Sequence, residues 1–161
     1  MAHDAIDDAI LSILQFEGRI TNAELAQRVR LTPGPTLARV NKLESAGVIQ
    51  GYVAQLDREE MGWPITAFVA VILHQHGRGP CGDFVRAVSD LPEVLECHHI
   101  AGAEDYLLKV VAQSPRQYEE FVMAKLTAIP VVQRINTTIV LSTAKETLAL
   151  PIAAPVLGDP S

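Results

Sequence analysis

Between Leu25 and Leu43 the charged residues are Arg28, Arg30, Arg39 and Lys42, with no acid among them. Cations gathered in this way neutralise phosphate oxygens, the chemistry on which DNA affinity chiefly rests. Thr32, Gly34 and Thr36 stand at the start of a helical run in the same stretch. Free N–H groups and the helix dipole favour a phosphate there. Arg39 is long enough to reach a base edge or a phosphate, whereas Lys42, one turn on, suits the backbone. The seven residues Arg28, Arg30, Thr32, Gly34, Thr36, Arg39 and Lys42 are therefore the candidate contacts to double-stranded DNA.

Two other chemistries fare worse. His74 and His76 share one strand face, and Cys97, His98 and His99 are consecutive, yet no second pair at zinc spacing follows. No metal site is expected. The chain also lacks a GxSxG elbow, a GxGxxG loop and a Walker loop, and Glu59-Glu60 reads as a solvated turn. The expectation is a protein that is not an enzyme and holds no cofactor.

Positioning those cations requires helices, and the first 50 residues carry helical periodicity. Ile6, Ala9, Ile10, Ile13 and Leu14 form one apolar stripe, with Gly18 read as a stop. Thr21 and Glu24 fit a capping box for a second helix running to about Val29. Thr32 caps a third helix, with Pro33 at its first position. Leu37, Val40 and Leu43 are read as its inward face, and it ends near Ala46-Gly47. Two capped helices around a short turn make a helix-turn-helix.

From Val48 to Leu56 the chain reads as an extended hinge strand. Thr66–Leu73, Val94–Ile100, Tyr106–Ala112 and Val131–Leu141 read as strands, with helices at Asp83–Leu91 and after Ser114. The order βαββαβ is the ferredoxin-like arrangement. The fold class is thus α+β. Residues 1–50 form the helix-turn-helix domain, 51–63 the hinge and linker, 64–150 an oligomerisation and effector domain, and 151–161 a flexible tail.

A net charge of -6 counts against a nucleic-acid partner until its distribution is considered, since the cations cluster. With 161 residues shared between two domains, each is marginal alone, so oligomerisation is expected to add stability. Two cysteines make no disulfide framework, and no apolar run is long enough to span a bilayer. A cytoplasmic protein with no membrane partner is expected.

The segments IDDAILSILQFEGRITNAELAQRV, LTPGPTLARVNKLESAGVIQGYVAQLD, VLECHHIAGAEDYLLKV and KETLALP, in this order, resemble the Lrp/AsnC (feast/famine) family of transcription regulators. The resemblance implies a winged-helix-like DNA-binding domain and a βαββαβ ligand-sensing domain. It also implies homodimers that build higher oligomers such as octamers, and an amino-acid effector. Gly102, Ala103, Glu104, Asp105 and Tyr106 lie on the turn that the family associates with effector response. A glycine-containing turn offers N–H groups to a carboxylate, and Glu104 or Asp105 offers an anion to an ammonium. Three departures stand out. Arg30 replaces a usual glycine, Ala38 and Asn41 replace longer polar groups, and Ala103 replaces a frequent aspartate. Weaker non-specific DNA affinity or a different operator is expected. The rival readings are an effector-independent DNA-organising protein and a ferredoxin-like dimeric enzyme.

Overall fold

The computed structural model describes residues 3–74 and 78–152. The chain divides into two compact units. One extends to Gln55 and takes in the segment from Lys145, and the other is Leu56–Ala144.

In the first unit, α1 (Ala5–Leu14), α2 (Asn22–Arg28) and α3 (Pro33–Ser45) enclose Ala9, Ile10, Leu25, Val29 and Leu43. Local chemistry starts the first two helices. Asp4 Oδ1 accepts from the N–H groups of Ile6 at 3.0 Å and Asp7 at 2.9 Å. Thr21 and Glu24 form the reciprocal capping box, which satisfies two otherwise orphan donors. Gly47, at φ 70°, closes α3 in the left-handed conformation that glycine adopts freely.

Several expectations need correction here. α1 ends at Leu14, before Gly18. A Cβ on Gly18 would lie 3.3 Å from Tyr52 Cδ1, so that glycine serves close packing rather than termination. Thr32 occupies the cap position of α3 but makes no capping hydrogen bond. The cause lies in the sequence, because Pro35 removes the third-position donor that a threonine cap normally reaches. Leu37 is 49% exposed, whereas Thr36 is fully buried. The inward seam is therefore Thr36, Val40 and Leu43, at i, i+4 and i+7.

No strand forms from Val48 to Leu56 among the described residues. A strand exists only through its ladder, and this single chain supplies no partner there. Val53 and Leu56 are left exposed. The second compact unit closes at Ala144. Beyond it the chain returns to α1, where Leu150 N–H donates to Gln15 Oε1 at 2.9 Å and Gln15 Nε2 donates to Leu150 O at 3.1 Å. Of the expected tail, residues 153–161 lie outside the described residues.

The second unit is one antiparallel sheet in the order β2-β3-β1-β4. Its strands are β1 (Ile65–Leu73), β2 (Val94–His99), β3 (Tyr106–Ala112) and β4 (Val132–Ile139). Helices α4 (Arg78–Ser89) and α5 (Pro115–Phe121), the latter continued by a π-helical turn at Val122–Leu126, supply its helical layer. Strand alternation sends Ala67, Val69, Val71 and Leu73 into a core with Phe84, Val88, Leu108, Val110, Phe121 and Leu126. Thr66, Phe68, Ala70 and Ile72 lie on the opposite, open face.

Candidate functional site

The turn between α2 and α3 is held at both ends. Asn22, the first residue of α2, donates from Nδ2 to Pro33 O at 2.9 Å. Leu31 N–H donates to Ala26 O at 2.9 Å. Between them Arg30 takes φ 55°, which among the described residues makes it the one non-glycine held in the left-handed region. An L side chain there costs about 1–2 kcal/mol, which glycine avoids while losing more freedom on folding. Arg30→Gly is therefore expected to stabilise the unit by a few tenths to about 1 kcal/mol while weakening DNA binding through the lost cation. Thermal unfolding and a DNA titration check the two signs, and a lowered melting temperature would refute the strain.

The candidate contacts separate into groups. Lys42, Thr32 and Gly34 are exposed, and Arg30 is exposed beside them. Only Gly34 offers a free N–H between Pro33 and Pro35, so the helix start presents one backbone donor rather than several. Thr36 is a correction. Its side chain is buried and its Oγ1 donates to Thr32 O at 3.0 Å, so it holds the helix start and cannot reach a duplex.

Arg28 and Arg39 are already engaged. Arg28 forms a two-pronged pair with Glu17, at 2.5 and 2.9 Å. That contact holds the Glu17 carboxyl below the usual carboxylate range. Arg39 Nη1 donates to Asp4 Oδ2 at 2.7 Å and to Asp7 Oδ1 at 2.6 Å. The Asp7 backbone N–H first, and then Arg39, keep the Asp4 carboxyl low. Arg39 thus points back at α1. Sequence reading missed this because both acids lie more than thirty residues away from it.

On the second unit, the turn before β3 presents Gly102 and Ala103 to solvent, with Glu104 half-buried. Asp105 is built into the sheet. Its Oδ2 accepts from Leu73 N–H at 2.8 Å, its N–H donates to Val71 O at 3.0 Å, and its carbonyl accepts from Ile100 N–H at 2.9 Å. Tyr106 is a second correction. It is 4% exposed, with its ring centroid 4.7 Å from Phe84 and 5.0 Å from His99. Burial, and then a hydrogen bond with Cys81, pushes its hydroxyl up to about 12. Tyr106 anchors the turn from beneath and is not open to a ligand.

The described residues hold no group of three or more His, Cys, Asp and Glu placed to bind a metal ion. His98 instead contacts Glu96 at 3.0 Å, and Lys109 contacts the same carboxylate at 3.1 Å. His76 lies outside the described residues. No described helix is long and apolar enough to cross a membrane.

Residues 3–50 match the model of a winged helix-turn-helix DNA-binding domain, and residues 66–150 that of the Lrp/AsnC ligand binding domain. The chain is 38% identical to the leucine-responsive regulatory protein of Rhizobium meliloti, over 92% of this chain and 96% of that protein. It is 34% identical to the transcriptional regulator AzlB of Bacillus subtilis, over 92% and 95%. Among solved structures it superposes on a transcriptional regulator of Neisseria meningitidis in complex with L-methionine. That match has TM-score 0.90 and 36% identity, covering 94% of this chain and 98% of that one. A feast or famine regulatory protein of Mycobacterium tuberculosis, also complexed with L-methionine, gives TM-score 0.85 and 34% identity over 92% and 99%.

Proposed function

We propose, on the premise that this chain belongs to the Lrp/AsnC family of DNA-binding transcription regulators, that it docks α3 in the major groove through Lys42, Arg30 and the exposed start of the helix, under the control of a bound amino acid. The observation that carries the reading is the α2–α3 turn. A capping box and the Asn22–Pro33 contact fix it, and it leaves Thr32, Gly34 and Lys42 exposed on a stretch without acids. Phosphate contacts fix register and orientation, and base contacts confer preference.

The effector is proposed to be an amino acid, as in the two relatives solved with L-methionine. Gly102 and Ala103 offer N–H groups to its carboxylate, and Glu104 offers an anion to its ammonium. Asp105 is assigned to supporting the turn, since its carboxylate already serves Leu73. The open face of the sheet, with Phe68 37% exposed at its centre, is proposed to pair with a second copy of the chain. The unpaired segment around Val53 would gain a ladder in the same assembly. Binding of the effector favours one assembly and so changes how two copies of α3 meet two half-sites. The proposed location is the cytoplasm, alongside the DNA, and no catalytic role is assigned.

Lys42→Gln tests the DNA contact. In a fluorescence anisotropy titration against duplex DNA at several salt concentrations, it is expected to weaken binding and flatten the dependence of log affinity on log salt by about one counterion. An unchanged slope removes Lys42 from the interface. For the effector, thermal unfolding with each amino acid in turn is expected to raise the melting temperature for at least one of them. No shift with any of the twenty defeats that half of the reading.

A further inference from the structure

Arg39 sits on the helix that the proposed function places in the groove, yet its guanidinium is engaged within the unit. One nitrogen, Nη1, serves two carboxylates on α1 and its cap, Asp4 at 2.7 Å and Asp7 at 2.6 Å. The two acids differ in kind. Asp4 is half exposed, and its other oxygen caps α1 through Ile6 and Asp7. The Asp7 side chain is 4% exposed. If Arg39 left for a phosphate, Asp4 could turn to water, but the Asp7 charge would be stranded where water cannot reach it. Stranding a buried carboxylate costs more than one screened phosphate contact returns.

We infer that Arg39 is a positioning residue, and that Asp4 and Asp7 form with it a clamp that sets α3 against the start of α1. Asp4 is the hub of the clamp because a single side chain caps one helix and fixes the other. The inference rests on the DNA-binding reading and assigns within it which residue of α3 holds the helix and which residue reaches the duplex. Arg39 presents no charge to DNA, and the selectivity of α3 depends on acids that never touch it.

The test uses the full chain and a labelled duplex enriched from a random-sequence pool by the wild-type protein. The variants are Asp4→Ser, Arg39→Gln, Arg39→Lys and Lys42→Gln. Serine is itself a good helix cap, so Asp4→Ser removes the Asp4 arm of the clamp, leaves the Asp7 arm in place and keeps the cap. Asp4→Ser and Arg39→Gln are each expected to lower the preference for the enriched duplex over random duplex by roughly threefold to tenfold, with the salt slope unchanged. Arg39→Lys is expected to recover part of that preference, and Lys42→Gln alone flattens the slope. The proposal is overturned if Arg39→Gln flattens the slope as Lys42→Gln does. It is equally overturned if Asp4→Ser tightens binding, which would make Asp4 a competitor of DNA, or leaves the preference unchanged. If the wild-type chain enriches no duplex, the DNA-binding reading fails separately. The clamp is then read in thermal unfolding of Asp7→Asn, Arg39→Gln and the double variant, where non-additive losses support it and additive losses overturn it.

Discussion

Phe68→Glu is expected to leave the fold of each unit intact, abolish self-association and weaken operator binding by about a hundredfold or more. Phe68 stands at the middle of β1 on the sheet face that no described helix covers, paired in register with Lys109 on β3 and Thr138 on β4. A glutamate there meets Lys109 within its own chain, so the single subunit tolerates it. Across a two-fold interface the same substitution appears twice. In the proposed pairing each copy would carry a carboxylate into a contact formed by the face that also bears Thr66, Ala70 and Ile72, and the two would be desolvated with no partner gained from the other copy. On the proposed pairing of two copies the effect on DNA binding is large, because two tethered recognition helices would bind as one unit and separate helices lose that effective concentration. Sizing by light scattering, circular dichroism and a DNA titration check the three parts. A variant that remains dimeric at micromolar concentration would move the interface elsewhere.

What could be read in the sequence was whatever neighbouring residues decide. The Thr21–Glu24 capping box lies within one turn, and both partners are visible in four letters. The strands Ile65–Leu73 and Tyr106–Ala112 carry runs of Val, Leu, Ala and aromatic residues that favour a sheet with a buried face. The left-handed position at Arg30 was legible through the family resemblance, because a usual glycine is missing there, and it has φ 55°.

Illegible were the fates settled across distance. Thr36 looks like a polar contact residue, and only the packing of the unit makes it core. Arg39 looks like a groove reader until Asp4 and Asp7 come within 3 Å of it. Leu150 meets Gln15 from 135 positions away. Tyr106 looks like an effector residue through the family resemblance, but the alternation of β3 sends it inward. The Val48–Leu56 strand failed for the opposite reason, since its local preference is extended but strand hydrogen bonds need a neighbour.

The same inward direction of Tyr106 makes Phe84→Ala the most damaging substitution expected in the second unit. Phe84 is fully buried, on α4, and its ring lies 4.7 Å from that of Tyr106. Truncation removes the aromatic contact and leaves a cavity that the sheet, tied strand to strand, cannot close. The expected loss is about 3–5 kcal/mol. Val85, the next residue, is 40% exposed, and Val85→Ala is expected to cost under about 1 kcal/mol. In a unit of this size each kcal/mol moves the melting temperature by about 4–8 °C, so the two variants separate clearly in calorimetry. Because Tyr106 follows directly on Asp105, the loss should not stop at stability. With Phe84 gone, Tyr106 loses its backing, and the Asp105–Leu73 contact that shapes the turn is the next to loosen. Amide exchange at Leu73 is therefore expected to quicken in Phe84→Ala and not in Val85→Ala. Equal exchange in both variants would show that the turn is held by its own hydrogen bonds, independently of the ring stack beneath it.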